Sequence, residues 1–478
     1  EGNRWARASK VDRQALEDLL SPGTVLWVSI RSVSDEGVVC DLEHRPELQG
    51  AVLLAEDGQI RAMVGGNDNT HFNRAVSAKR QFGSTWKTLV FQAAFQLGWT
   101  PVDLLDNRRA VFPFEGTWYR PSADHESEDF VSVAWAGVRS ENLASIWLLV
   151  HLLDRLDRDQ LMEIAEITGL SPGPDEGRRD YIRRIRDDFG VIATRNRMRS
   201  VAFGEAKSNV MAGLDLAPIA EEDLEREYVE LMSLHDGWGF AGQRALSGGE
   251  SAQESDLEAD FRQLSKRGEQ CQREFSTLKK WLNSKQKRGF LWTFGLQEDG
   301  PALDFGAVSN LSGRLNAGRL EVACFRVPLG FQALELVVPN NREDLETLRL
   351  AMNPRVDDRV RLSTLQELSE EWEAVHGARV GEKPYALENL VYHPDFRALM
   401  SMRYVTKLAR SFGVQSDIPQ VLSMPLGAIE LSLEEIVALY GGMATGSRPR
   451  FPGSRFKPGR VEGLLERTEV EEQEYPTH

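Results

Sequence analysis

The run Phe72-Asn73-Arg74-Ala75-Val76-Ser77-Ala78-Lys79-Arg80-Gln81-Phe82-Gly83-Ser84-Thr85-Trp86-Lys87 decides how the rest of the chain is read. The block from Phe82 to Leu97 is expected to carry a helix, its start marked by Gly83-Ser84-Thr85. Ser84 and Lys87 stand three residues apart, and on a helix that spacing puts both side chains on one face. A serine hydroxyl is a weak nucleophile until a neighbour takes its proton; a lysine does this when desolvation lowers its pKa enough to leave it neutral. Gly83 lets the chain turn tightly into the helix, and free N–H groups at that helix start can help stabilise an oxyanion. Ser84 is therefore the candidate nucleophile and Lys87 its candidate base.

The pair alone is weakly specific, because Ser-x-x-Lys recurs at Ser276/Lys279, Ser284/Lys287 and Ser454/Lys457, where it reads as a solvated helix or loop face. Context singles out Ser84. Upstream, Gly50 to Leu54 and Ile60 to Val64 flank Asp57-Gly58, a pairing that favours a tight two-residue hairpin. Downstream by 56 residues comes Ser140-Glu141-Asn142, the sole Ser-x-Asn of the chain. A second hydroxyl at Ser140 can relay a proton to a leaving amine, and the Asn142 amide can bind an amide of the substrate. The alternative for Ser140 is a turn or helix cap.

Further along, the chain carries 41% hydrophobic and 27% charged residues over 478 positions, enough for two or three globular domains. A net charge of −16 argues against a nucleic-acid partner, which calls for clustered Lys and Arg. No apolar run approaches the roughly 18 residues that span a bilayer; the longest, Ile146 to Leu153, is interrupted by His151. The three cysteines, Cys40, Cys271 and Cys324, are too dispersed for a zinc site or a disulfide framework and are expected to be buried small apolar residues. Eight histidines include no HExxH or close pair, so no metal is expected.

Residues 1–47 read as a β-rich linker or accessory segment: a short helix (Val11 to Leu20), then β-like runs at Val25 to Ile30 and Val38 to Leu42. From about Leu153 the character changes to dense charge with Pro/Gly punctuation, and residues 154–391 are expected to form an inserted α+β domain. Within it, Leu257, Phe261, Leu264, Gly268, Cys271, Phe275, Leu278 and Leu282 alternate steps of four and three, one seam on a long helix that is expected to pack inside the insert. Strand-like runs at Phe290 to Phe294, Arg319 to Val327 and Ala333 to Val338 precede helical patterns near Asp344 to Met352 and Arg361 to Val375.

In the order of these features, residues 48–153 and 392–478 resemble the transpeptidase domain of class A penicillin-binding proteins. Gln49 to Val52 and Ala62 to Gly66 resemble its first two strands, and Phe72 to Lys87 its active-serine segment. Trp118-Tyr119-Arg120-Pro121 is similar to its Trp-x-Pro stretch, and Val131 to Leu143 to the helix carrying its Ser-x-Asn. Val405 to Val414 and Leu426-Gly427 to Ser432 resemble its later helix and its leucine-glycine turn. Several motifs in order are more specific than any one of them. The chain departs from the family at Phe82, Thr88 and Ser122, and it lacks the Lys-Thr/Ser-Gly strand: Ala444-Thr445-Gly446 has no Lys and falls in the glycine loop. With Glu1 in place of Met, that absence reads as a segment cut from a longer protein.

The resemblance implies an α+β fold of the penicillin-binding-protein/β-lactamase type, with an incomplete sheet and a large α+β insertion. It implies that Ser84 forms an acyl-enzyme with peptidoglycan stem peptides and is acylated by β-lactam antibiotics, with Lys87 as base, Ser140 as relay and Asn142 as substrate-binding residue. No organic cofactor or metal is implied. An upstream glycosyltransferase domain and a membrane anchor outside this fragment would put the site on the periplasmic face of the bacterial inner membrane. Two other readings are a non-catalytic scaffold of the same fold, whose insert recruits a protein partner, and a β-lactamase or penicillin sensor.

Overall fold

Two hairpins open the described chain. The computed structural model describes residues 14, 23–43, 48–56, 59–66, 72–214, 221–237, 261–282, 296–297, 300–301, 314–316, 319–321, 355–357 and 359–445. Strands β1 (Trp27–Ser34) and β2 (Gly37–Glu43) pair antiparallel, as do β3 (Val52–Glu56) and β4 (Gln59–Val64), where Glu56 faces Gln59 across the expected two-residue turn. The first hairpin packs chiefly on itself, so Trp27, Ile30, Val33 and Val39 stay exposed. Cys40 is exposed there too, a correction to its expected burial: among the described residues no second layer covers this two-stranded ribbon, which alone has no interior in which to hide it. The expected helix Val11 to Leu20 lies outside the described residues, Gln14 excepted.

A short helix α1 (Arg74–Ser77) leads into β5 (Lys79–Gln81), a 3-10 turn (Gly83–Trp86) and helix α2 (Lys87–Gln96). Strands β6 (Leu104–Asp106), β7 (Phe112–Phe114), β8 (Thr117–Tyr119) and β9 (Phe130–Ser132) form two antiparallel pairs, β6 with β9 and β7 with β8. Helices α3 (Val133–Arg139) and α4 (Asn142–His151) follow. Ser132 starts α3 by accepting a hydrogen bond from the Trp135 N–H. Every residue of α4 except Val150 is buried, which explains why its sequence is apolar nearly all round.

The middle of the chain is mostly helical where described: α5 (Arg158–Ile167), α6 (Arg178–Arg183), α7 (Met198–Leu214), α8 (Glu221–Ser233) and α9 (Phe261–Leu282). Two small hairpins, β10–β11 (Leu296–Gln297, Gly300–Pro301) and β12–β13 (Arg314–Asn316, Arg319–Glu321), precede a third, β14–β15 (Arg355–Val356, Val360–Arg361). Then come α10 (Leu362–Arg379), α11 (Leu387–Leu390) and α12 (Pro394–Ser411). The seam expected over 257–282 lies on α9: Phe261 and Leu264 are buried, and Phe261 meets Phe203 of α7 and Trp372 of α10 with ring centroids 5.3 Å apart. Leu257 and the runs at 290–294, 333–338 and 344–352 lie outside the described residues, and of the run 319–327 only β13 is described.

One hydrophobic core joins these elements, running without interruption across residue 154: α5, α7 and α8 contribute Leu161, Ala202 and Val229 to the cluster that holds Trp86, Leu148 and Met400. Buried ion pairs reinforce the junction. Glu230 of α8, fully buried, accepts from both Arg108 guanidinium nitrogens at 2.9 and 3.0 Å and from Arg359 Nε at 2.8 Å, while Arg108 also grips Asp106. Glu227, one turn earlier, takes Arg355 at 2.8 Å and the Arg361 N–H at 2.9 Å. The last described elements are a 3-10 turn (Met424–Leu426), β16 (Glu430–Ser432) and α13 (Leu433–Thr445). Ser432 and Glu435 make a reciprocal capping box, and Glu435 also accepts from Ser416 and Gln415, tying the start of α13 to the preceding loop. Among the described residues no helix is long and apolar enough to cross a membrane.

Candidate active site

The Ser84 turn is built by two glycines that face each other. β5 pairs antiparallel with β16, Gln81 opposite Glu430, and the Phe82 N–H continues the ladder to Ile429 O at 3.1 Å. Gly83 and Gly427 then both take left-handed backbone angles, φ +63° and +74°. A Cβ on Gly427 would fall inside the backbone of Gly83, so this approach is open to glycine alone. Tyr440 of α13 clamps the other side: its hydroxyl donates to Thr85 O at 2.8 Å and accepts from Thr88 Oγ1 at 3.2 Å, and its ring meets Phe82 edge-on at 6.2 Å. Residues 83–86 form a 3-10 turn, closed by the Lys87 N–H on Ser84 O, ahead of the α-helix expected from Phe82 onward. Ser84 stands exposed at this turn, and among the described residues its hydroxyl makes no hydrogen bond, to Lys87 or to any other group.

Lys87 is buried, at 2% exposure. Its ammonium donates to the Ser140 carbonyl, to Ser140 Oγ at 3.1 Å and to Asn142 Oδ1 at 2.6 Å. Those three acceptors occupy all three donors of an ammonium, and none carries a charge. Burial therefore dominates, pulling the Lys87 pKa down to about 8, against the opposing pull of the Asp124 and Glu141 carboxylates. Among the described residues Lys87 forms no ion pair. The arrangement suits proton loss. A neutral amine keeps two N–H groups for the carbonyl and the amide oxygen, and offers its lone pair to the Ser140 hydroxyl, which can donate as readily as accept.

Ser140 does not lie inside a helix, as the reading of Val131 to Leu143 as one helix has it. It ends α3 at φ 56°, a left-handed conformation uncommon outside glycine and asparagine, with its N–H on Ala136 O and Gly137 O. The cap reading of Ser140 describes this geometry. The left-handed turn releases the Ser140 carbonyl from helical pairing and aims it at Lys87. Asn142 begins α4 on the far side of the break, and its amide donates to Ser122 O at 3.3 Å, which sets Oδ1 toward Lys87.

Between them Glu141 is buried, at 2% exposure. Its carboxylate accepts from Ser127 Oγ at 2.6 Å, from the His125 ring at 3.0 Å and from Asn107 Nδ2 at 3.3 Å. Burial pushes the Glu141 carboxyl up, but these three hydrogen bonds outweigh it and hold the pKa below its ordinary value. Asn107 also accepts from the Ala144 N–H at 3.0 Å, so one side chain anchors Glu141 and satisfies the start of α4. The sequence reading passed over Glu141, its three partners and Tyr440. Glu141 alone carried a signal, its place inside the motif.

The structure thus brings Lys87, Ser140 and Asn142 into direct contact and leaves Ser84, one turn before Lys87, at the surface. Among the described residues no cluster of His, Cys, Asp and Glu is arranged to hold a metal.

No family model matches the chain. Over 154 residues, 30% of this chain, it is 32% identical to penicillin-binding protein 1A of Neisseria gonorrhoeae, a stretch that covers 19% of that protein. Over 144 residues it is 33% identical to penicillin-binding protein 1A of Neisseria meningitidis serogroup A, and over 132 residues 30% identical to the protein of that name from Aquifex aeolicus, covering 17% and 18% of them. The chain therefore spans about a fifth of the length of the curated relatives it matches, and about a third of the chain is related in sequence to penicillin-binding protein 1A.

Proposed function

We propose that this chain is part of a peptidoglycan D,D-transpeptidase of the penicillin-binding-protein/β-lactamase type, with Ser84 as the acylated nucleophile. In this reading Ser84 Oγ attacks the carbonyl of the penultimate D-Ala of a stem peptide, the terminal D-Ala leaves, and the acyl group passes to an amine on a neighbouring stem. Lys87 takes the Ser84 proton, Ser140 carries a proton to the leaving amine, and Asn142 binds the substrate amide. The observation that carries the proposal is the Lys87 amine: buried, without an ion pair among the described residues, and held by the Ser140 carbonyl and hydroxyl and the Asn142 amide oxygen. A lysine so placed is suited to proton transfer and poorly suited to structural ion pairing.

The named relatives support the β-lactam and cell-wall chemistry, and by the same reasoning a periplasmic location with a membrane anchor elsewhere in the protein. The mixed α/β build and the stretch from 154 to 391 are read here as that fold with an accessory insertion. One observation favours a non-catalytic scaffold instead: among the described residues the Ser84 hydroxyl makes no hydrogen bond to the Lys87 amine. Covalent labelling by a fluorescent penicillin separates the two. A transpeptidase is labelled and Ser84→Ala abolishes the label; a scaffold is not labelled although it folds.

A further inference from the structure

A cavity of 320 Å³ lies on the side of α4 away from the Lys87 cluster, between α4, α7, the segment after α8 and the first turn of α12. None of Ser84, Lys87, Ser140 and Asn142 lines it. Arg109, which is exposed, stands at its rim. The volume falls within the range of ordinary small-molecule sites. One wall is apolar, made of Val111, Phe112, Phe203, Met211 and Met232.

Among its polar groups, Asp154 joins the His151 ring at 2.8 Å to the Arg397 guanidinium at 2.5 Å. Lys207 beside them gives two of its three donors to Met232 O at 2.8 Å and Leu234 O at 3.3 Å, leaving one N–H over. His151 Nε2 makes no hydrogen bond among the described residues, and burial keeps that ring neutral. Lys207 is lowered by burial to about 8, so it remains a cation at neutral pH. Asp395, in the first turn of α12, also lines the cavity, 5% exposed and without a hydrogen bond or an ion pair among the described residues. Burial raises its carboxyl to about 6, opposed by Arg197 and reinforced by Glu115, so at neutral pH it is mostly anionic.

Lys207 is influenced by Asp154, Arg397 and Asp236, and Asp395 by Arg197 and Glu115. A cationic donor with an N–H to spare, a carboxylate with no hydrogen bond among the described residues and an apolar lining, all in one cavity, define a complementary ligand. We propose that this cavity binds a zwitterion with an apolar body, of the size of an amino acid or dipeptide, its carboxylate at Lys207 and its ammonium at Asp395. Burying an unpaired carboxylate is costly, and a bound ammonium would relieve that cost. The proposal does not depend on the chemistry assigned to Ser84.

Three probes with one body and different charges test it: phenylalanine, 3-phenylpropionate and phenethylamine, each titrated calorimetrically into the whole protein at pH 7. The expected result is binding of phenylalanine, with both singly charged analogues at least tenfold weaker. Asp395→Asn should weaken phenylalanine at least tenfold and leave 3-phenylpropionate unchanged; Lys207→Met should weaken phenylalanine and 3-phenylpropionate at least tenfold and leave phenethylamine unchanged. Should Lys207→Met fail to fold, Ala398→Leu, which fills the cavity from α12, should abolish binding of all three. Equal binding of phenylalanine and 3-phenylpropionate, no binding of phenylalanine at millimolar concentration, or phenylalanine affinity unchanged in Asp395→Asn would overturn the proposal.

Discussion

The pKa of Lys87 makes the rate of Ser84 acylation a function of pH, and the structure sets where the change falls. At a pKa of about 8, roughly one lysine in ten is neutral at pH 7; at the ordinary 10.5 the fraction is roughly one in three thousand. Burial therefore raises the population of competent base about 300-fold. If the neutral amine takes the Ser84 proton, the second-order rate of reaction with a fluorescent penicillin should climb about tenfold per unit from pH 6 and level off above about 8. Asp124→Asn removes a carboxylate that favours the charged amine, so it should move the midpoint down and speed labelling at pH 7. Stability moves in the same direction. An unfolded Lys87 keeps its proton up to pH 10.5 and the folded one loses it near 8, so in this interval the unfolded state binds more protons and stability rises with pH. The rise amounts to about 3 kcal/mol, is complete above 10.5, and should be missing from Lys87→Met when the two proteins are compared by denaturant unfolding. A labelling rate that is flat from pH 6 to 9, or an upward shift of the midpoint in Asp124→Asn, would refute the reasoning.

Three further outcomes follow from named contacts. Glu141→Ala strands the donors of Asn107, Ser127 and His125, and should cost about 1–3 kcal/mol while slowing labelling through a loosened Ser140–Asn142 turn; equal labelling rates would remove its positioning role. Because the Glu141 carboxyl is held below its usual range, its contribution is present above that range and lost as acid protonates it, so the stability difference between wild type and Glu141→Gln should shrink at low pH. Gly427→Ala drives a methyl into the Gly83 backbone from a left-handed position and should lower labelling more than thermal stability, since the Ser84 turn is the nearest part to yield. Glu230→Ala leaves Arg108 and Arg359 buried without their shared carboxylate, and a loss of about 3–5 kcal/mol in urea unfolding is expected.

Legibility in the sequence followed the range of the interaction. The β3–β4 hairpin and the entry to α2 could be read because a two-residue turn and a glycine before a helix act through neighbouring backbone atoms. Helix α9 could be read from its repeat, since burial against Phe203 and Trp372 imposes the 3.6-residue period. What escaped depends on residues far apart in the chain. Tyr440 reaches Thr85 across 355 positions, and Glu230 joins Arg108 to Arg359, pairings without any local pattern. At Ser140 a turn or cap was legible, but not its left-handed backbone, which is locally unfavourable for serine and accompanies a contact with Lys87 that propensity does not see. Cys40 was assigned to an interior by residue type, although a lone ribbon has none.

The most direct test of the central claim is the position of the covalent adduct. Wild-type protein is incubated with a penicillin at pH 8, digested, and its peptides mapped by mass spectrometry, with Ser84→Ala and Lys87→Met treated alongside after circular dichroism has shown that both are folded. The account predicts one acyl group per chain on Ser84, absent from Ser84→Ala and slowed by at least a hundredfold in Lys87→Met. An adduct on any other serine, or an undiminished adduct in folded Lys87→Met, would contradict it.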